Sequence, residues 1–114
     1  MPCLLLKTNI TPAPGAGQRL LQQASRQVAQ ALGKPEAYVM VALEHSCAML
    51  FAGSDAPLAY LELKSIGLPT ARTAELSALL ARLLNQELGI PAERVYIEFS
   101  DAAGPLWGWN GATF

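Results

Sequence analysis

Leu32-Gly33-Lys34-Pro35-Glu36-Ala37-Tyr38-Val39-Met40-Val41 returns later in the chain as Leu88-Gly89-Ile90-Pro91-Ala92-Glu93-Arg94-Val95-Tyr96-Ile97. Leu, Gly, Pro and Val fall in register, and Val41 matches Ile97. In each copy the glycine supplies a helix stop, and the proline just beyond it cannot continue the helix. The apolar residues that follow read as a strand, about Tyr38 to Glu44 in the first copy.

The segments before each copy carry helical spacing. Leu20, Leu21, Ala24, Val28, Ala31 and Leu32 recur so that one face points inward, after the turn-rich Thr11-Pro12-Ala13-Pro14-Gly15. Leu76, Leu79, Leu80, Leu83, Leu84 and Leu88 form a leucine face in the second half. A short apolar run opens each half. Pro2 to Lys7 reads as a strand buried on both faces, with proline at its start where no ladder bond is lost, and Leu58 to Lys64 reads as its counterpart. The sequence therefore predicts an α+β fold of one domain, residues 1–114. Two βαβ repeats, about 2–45 and 58–99, form a four-stranded mixed sheet with two helices on one face.

Such a sheet leaves its other face uncovered, and its strands read as too apolar to meet water there. Composition points the same way: 52% of the 114 residues are hydrophobic and 15% charged, against roughly 25% charged in ordinary soluble domains. A small domain covers surplus apolar surface most simply with identical neighbours. A homo-oligomer is expected, with Met49 to Phe51 and Trp107 to Trp109 available to pair with neighbouring sheet edges. A dimer stacking two sheets is the alternative arrangement.

A net charge of -1 with dispersed Lys and Arg offers no basic stripe for a nucleic-acid backbone. The opening Met-Pro-Cys-Leu-Leu-Leu-Lys has no basic leader, and its apolar run is too short to cross a membrane. Neither nucleic acid nor membrane is expected as a partner, and the expected location is the cytoplasm, or outside the cell without a signal peptide. Cys3 and Cys47 lack metal-ligand spacing and read as buried apolar side chains, so no metal or cofactor is expected. His45 reads as a structural or surface residue.

Met1-Pro2, Thr8-Asn9, Leu32-Gly33-Lys34-Pro35, Ser65-Ile66-Gly67, Arg94-Val95-Tyr96-Ile97, Gly108-Trp109-Asn110 and Thr113-Phe114 carry a resemblance over essentially the whole chain. In order and spacing they resemble the macrophage migration inhibitory factor family of the tautomerase superfamily. The Gly-Trp-Asn and Thr-Phe ending is nearer to that branch than to D-dopachrome tautomerase. The resemblance implies a homotrimer with active sites at subunit interfaces. It implies a phenylpyruvate tautomerase-like isomerase, in which the amine of Pro2, freed by removal of Met1, is the catalytic group. The substrate would be a small aromatic 2-oxo acid. The alternative it carries is a cytokine-like binding protein with a receptor partner and vestigial activity.

The chemistry suits a terminal proline. An α-amino group titrates at about 7.7–8.0, and an apolar site or a neighbouring cation lowers that value by disfavouring the ammonium. The ring also limits the orientation of the nitrogen. By resemblance, Lys34 and the backbone N–H of Ile66 bind substrate oxygens. Tyr38, Tyr96, Trp107, Trp109 and Phe114 wall the pocket, some of them from the adjacent subunit.

Three features depart from the family pattern. Its CxxC is replaced by Leu58-Ala59-Tyr60-Leu61, which excludes the associated thiol chemistry. Its Asn after Val-Tyr-Ile becomes Glu98, which accepts a phenolic hydroxyl but repels a second carboxylate. A pocket His becomes Lys64, expected to pair with Glu98 or to offer another anion site. Hydration or dehalogenation of a small unsaturated acid ranks last, since no extra Arg and Glu arrangement is recognisable.

Overall fold

Residues Met1–Phe114 are all described in a computed structural model. Strand β1 (Cys3–Thr8) runs through helix α1 (Ala16–Leu32) to β2 (Met40–Glu44). Strand β3 (Ala59–Ile66) runs through α2 (Thr73–Leu88) to β4 (Val95–Ala102). The four form one sheet in the order β2-β1-β3-β4. Each βαβ unit is internally parallel, as its helical crossover requires, and the two units meet through the antiparallel β1/β3 pair. The α+β fold with its mixed sheet is thus as expected. A terminal hairpin, β5 (Gly108–Trp109) and β6 (Ala112–Thr113), turns through Asn110 and Gly111, both at positive φ. That conformation suits the twist of a two-residue hairpin loop.

The repeated Leu-Gly-x-Pro explains both helix ends, which differ in their capping hydrogen bonds. Gly33 at φ 62° lets the N–H of Lys34 reach the Ala29 carbonyl and its own N–H the Gln30 carbonyl. Gly89 at φ 69° donates instead to Asn85. Beyond each proline lies one 3-10 turn, Glu36–Tyr38 and Ala92–Arg94. Strand β2 therefore begins at Met40, not at Tyr38, because the Tyr38 N–H is committed to the Pro35 carbonyl at 3.1 Å.

The helices lie over one sheet face. Leu20, Ala24 and Val28 of α1 and Leu76, Leu80, Leu83 and Leu84 of α2 bury against Leu4, Leu6, Leu61 and Leu63. Alternate strand residues face the other way, so β1 is not buried on both faces: Leu4 is fully buried while Leu5 is 37% exposed. Nor is that open face uniformly apolar. Its rows, set by the register, are Met40-Cys3-Lys64-Ser100, Ala42-Leu5-Glu62-Glu98 and Glu44-Lys7-Tyr60-Tyr96. Lys7 pairs with Glu44 at 3.6 Å and Lys64 with Glu62 at 3.1 Å. Strand alternation collects these charges on the face that no helix covers.

The cysteines also differ from expectation. Both are free and only half-buried, Cys3 on the open face and Cys47 in the loop after β2. His45 is exposed, its Nδ1 2.9 Å from the Ser46 hydroxyl. No helix is long and apolar enough to cross a membrane.

Candidate active site

Pro2 is buried at the start of β1, where its carbonyl accepts the Met40 N–H at 3.0 Å. Above it opens a cavity of about 240 Å³, lined by Met1, Pro2, Cys3, Ala37, Tyr38, Val39, Met40, Trp107, Gly108, Trp109 and Phe114. Its wall is an aromatic cluster. Tyr38 meets Trp109 edge to face, with centroids 5.7 Å apart, and Phe114 likewise at 6.3 Å. Trp109 and Phe114 stack at 5.6 Å. The terminal hairpin brings Trp109 back, and the Phe114 N–H donates to the Trp107 carbonyl at 3.2 Å. Phe114 also lies against Gly104, where an added Cβ would stand 2.6 Å from the Phe114 carbonyl oxygen.

With Met1 in place, the Pro2 nitrogen is a tertiary amide without a basic lone pair. The terminal amine belongs to Met1, and burial, then the charge of Lys34, holds its pKa below the ordinary 8.0. Lys34 itself lines an open groove with Arg26, Gln30 and Glu36, outside the aromatic cavity. Its charge reaches the chain terminus although its side chain does not line the pocket.

Lys64 and Ile66 belong to the end of β3 that neighbours Pro2. Cys3 pairs with Lys64, so Pro2 and Met1 continue alongside Ser65 and Ile66. The Lys64 ammonium pairs with Glu62, not with Glu98. Two residues along a strand share a face, which makes Glu62 its nearest acidic partner. Glu98 instead accepts the Tyr60 hydroxyl at 2.8 Å. That bond is the first cause of a Tyr60 pKa pushed up to about 12.

Tyr96 and Glu98 lie elsewhere. Tyr96 shares a row with Tyr60 and Lys7, five residues along and two strands across from Pro2, or roughly 20 Å at ordinary strand spacings. It packs on Phe51 with centroids 4.6 Å apart and is 65% exposed. One chain thus gathers Pro2, Tyr38, Trp107, Trp109 and Phe114 in one cavity, sets Lys64 and Ile66 beside its base and Lys34 outside it, and leaves Tyr96 and Glu98 distant. Cys3 and Met40 also line the cavity and were not anticipated; strand alternation on the open face is the signal that points to them.

Paired βαβ units in one mixed sheet, with an aromatic pocket over the proline just before β1, define the tautomerase fold. The chain belongs to the macrophage migration inhibitory factor family, whose model, described as "Macrophage migration inhibitory factor (MIF)", matches residues 1–114. A homolog of that factor from Brugia malayi is 43% identical over 115 residues, covering 100% of this chain and 99% of the relative. The mouse factor is 37% identical with the same coverage. Among solved structures, the homologue from Prochlorococcus marinus superposes with a TM-score of 0.92 at 44% identity, covering 98% of each chain. The factor from Trichinella spiralis gives 0.92 at 39%, covering 98% of this chain and 99% of the other.

Proposed function

We propose that this protein is a keto-enol tautomerase of phenylpyruvate-like 2-oxo acids, with the amine of Pro2 as the proton carrier once Met1 is removed. The observation that carries the reading is a buried Pro2 at the base of an aromatic cavity, beside a chain terminus whose amine is held below its ordinary pKa. The burial and the Lys34 charge that act on the Met1 amine also act against the ammonium of Pro2 once it becomes the terminus, and the cavity suits a phenyl ring. Pro2 takes the enol hydroxyl proton while the oxygen's electrons close the carbonyl and the C=C pair moves to carbon. The same amine then returns the proton to that carbon, so no atom is gained or lost. The Ile66 N–H, beside the base of the cavity, binds the carboxylate or the enol oxygen, and Lys34 joins it by turning in from the adjoining groove.

Tyr96 and Glu98 enter this reading from a neighbouring subunit of a homotrimer. Their exposure on the edge strand supports such a role, since the edge of one sheet is free to meet another chain. Glu98 there accepts a phenolic hydroxyl.

Terminal mass determination, combined with a phenylpyruvate tautomerisation assay of wild type and Pro2→Gly, tests the mechanism. The expected result is a mass lacking methionine and at least about a hundredfold loss in the variant, the usual scale of general base catalysis. Equal rates for the two proteins would sink it. A receptor-binding reading draws support from Leu106, 80% exposed and outside the segments expected to pair between subunits. Receptor binding that survives Pro2→Gly, with negligible wild-type turnover, would favour it.

A further inference from the structure

Lys64, beside the base of the pocket, is held by a chain of contacts across the open sheet face. The Lys64 ammonium is 3.1 Å from Glu62 Oε2. Glu62 directly faces Glu98 on the neighbouring parallel strand, an arrangement in which like charges repel. The Tyr60 hydroxyl lies between them, 2.8 Å from Glu98 and 3.3 Å from Glu62. Its single proton favours the nearer Glu98, which leaves Lys64 as the main counter-charge of Glu62. Lys64 also holds the Glu62 carboxyl below its ordinary pKa, through their hydrogen bond first.

The position of this pair matters because Lys64 faces Cys3, and Cys3 lines the aromatic cavity. The thiol feels both charges. Burial raises its pKa most, Lys64 lowers it, and Glu62 raises it again. The positive field of Lys64 at the pocket wall is therefore opposed by Glu62. Lys34, by contrast, makes no ion pair.

We propose that Glu62 is a positioning and specificity-determining residue: it holds Lys64 on the open face and offsets its charge, so the pocket favours aromatic monocarboxylates over dicarboxylates. This rests on the tautomerase reading for the location of the pocket, but its test needs no turnover. Without Glu62, Lys64 is a free ammonium beside Cys3 and serves a second carboxylate.

Two non-reacting ligands that differ by one carboxylate, 3-phenylpropanoate and benzylmalonate, isolate the effect. Binding is read from the fluorescence of Trp107 and Trp109, both in the cavity. In Glu62→Gln the affinity ratio shifts toward benzylmalonate by about threefold, the scale of a part-exposed charge pair. The shift shrinks as salt is raised and is absent in Glu62→Gln/Lys64→Gln. Glu44→Gln, the same charge change in another row of the face, leaves the ratio as in wild type. An unchanged ratio in Glu62→Gln, a shift that persists without Lys64, an equal shift in Glu44→Gln, or no binding of either ligand overturns the proposal. Loss of the Pro2 mechanism alone would leave these affinities unaltered, so the two ideas fail separately.

Discussion

Tyr38 and Trp109 meet edge to face, with ring centroids 5.7 Å apart and planes at 77°. The contact ties the 3-10 turn after α1 to the terminal hairpin and forms one wall of the cavity above Pro2. An edge-to-face pair contributes about 0.5–1.5 kcal/mol beyond the area it buries.

Trp109→Ala removes that contact together with the stack on Phe114. Binding of a phenyl-bearing ligand is expected to weaken by about five- to tenfold, from one or two such contacts. KM for phenylpyruvate should rise more than kcat falls. A loss confined to kcat would remove Trp109 from the pocket wall.

Gly104→Ala tests the seat of the C-terminal residue. The new Cβ meets the Phe114 backbone at 2.6 Å, so the terminus must shift. Overpacking of this kind costs about 1–3 kcal/mol. A lower urea midpoint and a higher KM are expected together, and an unchanged KM would mean that the position of Phe114 is irrelevant to substrate.

Lys34→Gln tests the electrostatics of the chain terminus. The Met1 amine sits below its ordinary 8.0 through burial first and Lys34 second, and both act in the same sense on the Pro2 amine that replaces it after processing. Removing the lysine charge leaves burial alone, so the pKa rises part of the way back and less free base exists at neutral pH. The acid limb of the kcat/KM profile of the processed enzyme should therefore move to higher pH. A limb that stays in place or moves lower contradicts this coupling.

Linkage gives the matching stability effect in the chain that keeps Met1. Its folded terminus binds a proton less firmly than the unfolded one, so between the depressed pKa and 8.0 the unfolded chain holds more protons. Through this group, stability rises with pH across that window, and acetylation of the terminus should abolish the rise in a urea titration.

Arg94→Ala should release the loop between β2 and β3. The guanidinium donates to the carbonyls of Phe51 at 2.7 Å, Ser54 and Ala56 at 2.9 Å and Pro57 at 3.3 Å, and lies 5.2 Å from the centre of the Phe51 ring. Loss of about 2–3 kcal/mol is expected, as for other hydrogen-bond networks to a charged group. Arg94→Lys should recover less than half, because one ammonium cannot span four carbonyls. Denaturant midpoints for the three proteins decide it.

The repeated Leu-Gly-x-Pro and the leucine spacing made both helices, their ends and the two βαβ units legible from residues alone. These features are local: a glycine at positive φ, a proline without an N–H and an apolar face every three to four residues act within a few positions of chain. Strand β2 starts two residues later than its apolar pattern suggests for an equally local reason, the 3-10 turn over Glu36–Tyr38. Pro2 as the site's base and its aromatic company came from the resemblance to the family.

Tertiary structure alone decided which of those residues meet. Tyr38, Trp109 and Phe114 converge over Pro2 only because the terminal hairpin folds back across the sheet end. Lys64 takes Glu62 because alternation puts both on the uncovered face, and Glu98 is left to Tyr60. Tyr96 stands at the far end because β4 pairs in parallel beyond β3. Such pairings join residues distant in sequence, and their register reflects the burial of a whole sheet face rather than any neighbour's preference. The sequence by itself determined the helices and the units; the packed sheet decided the company that Pro2 keeps.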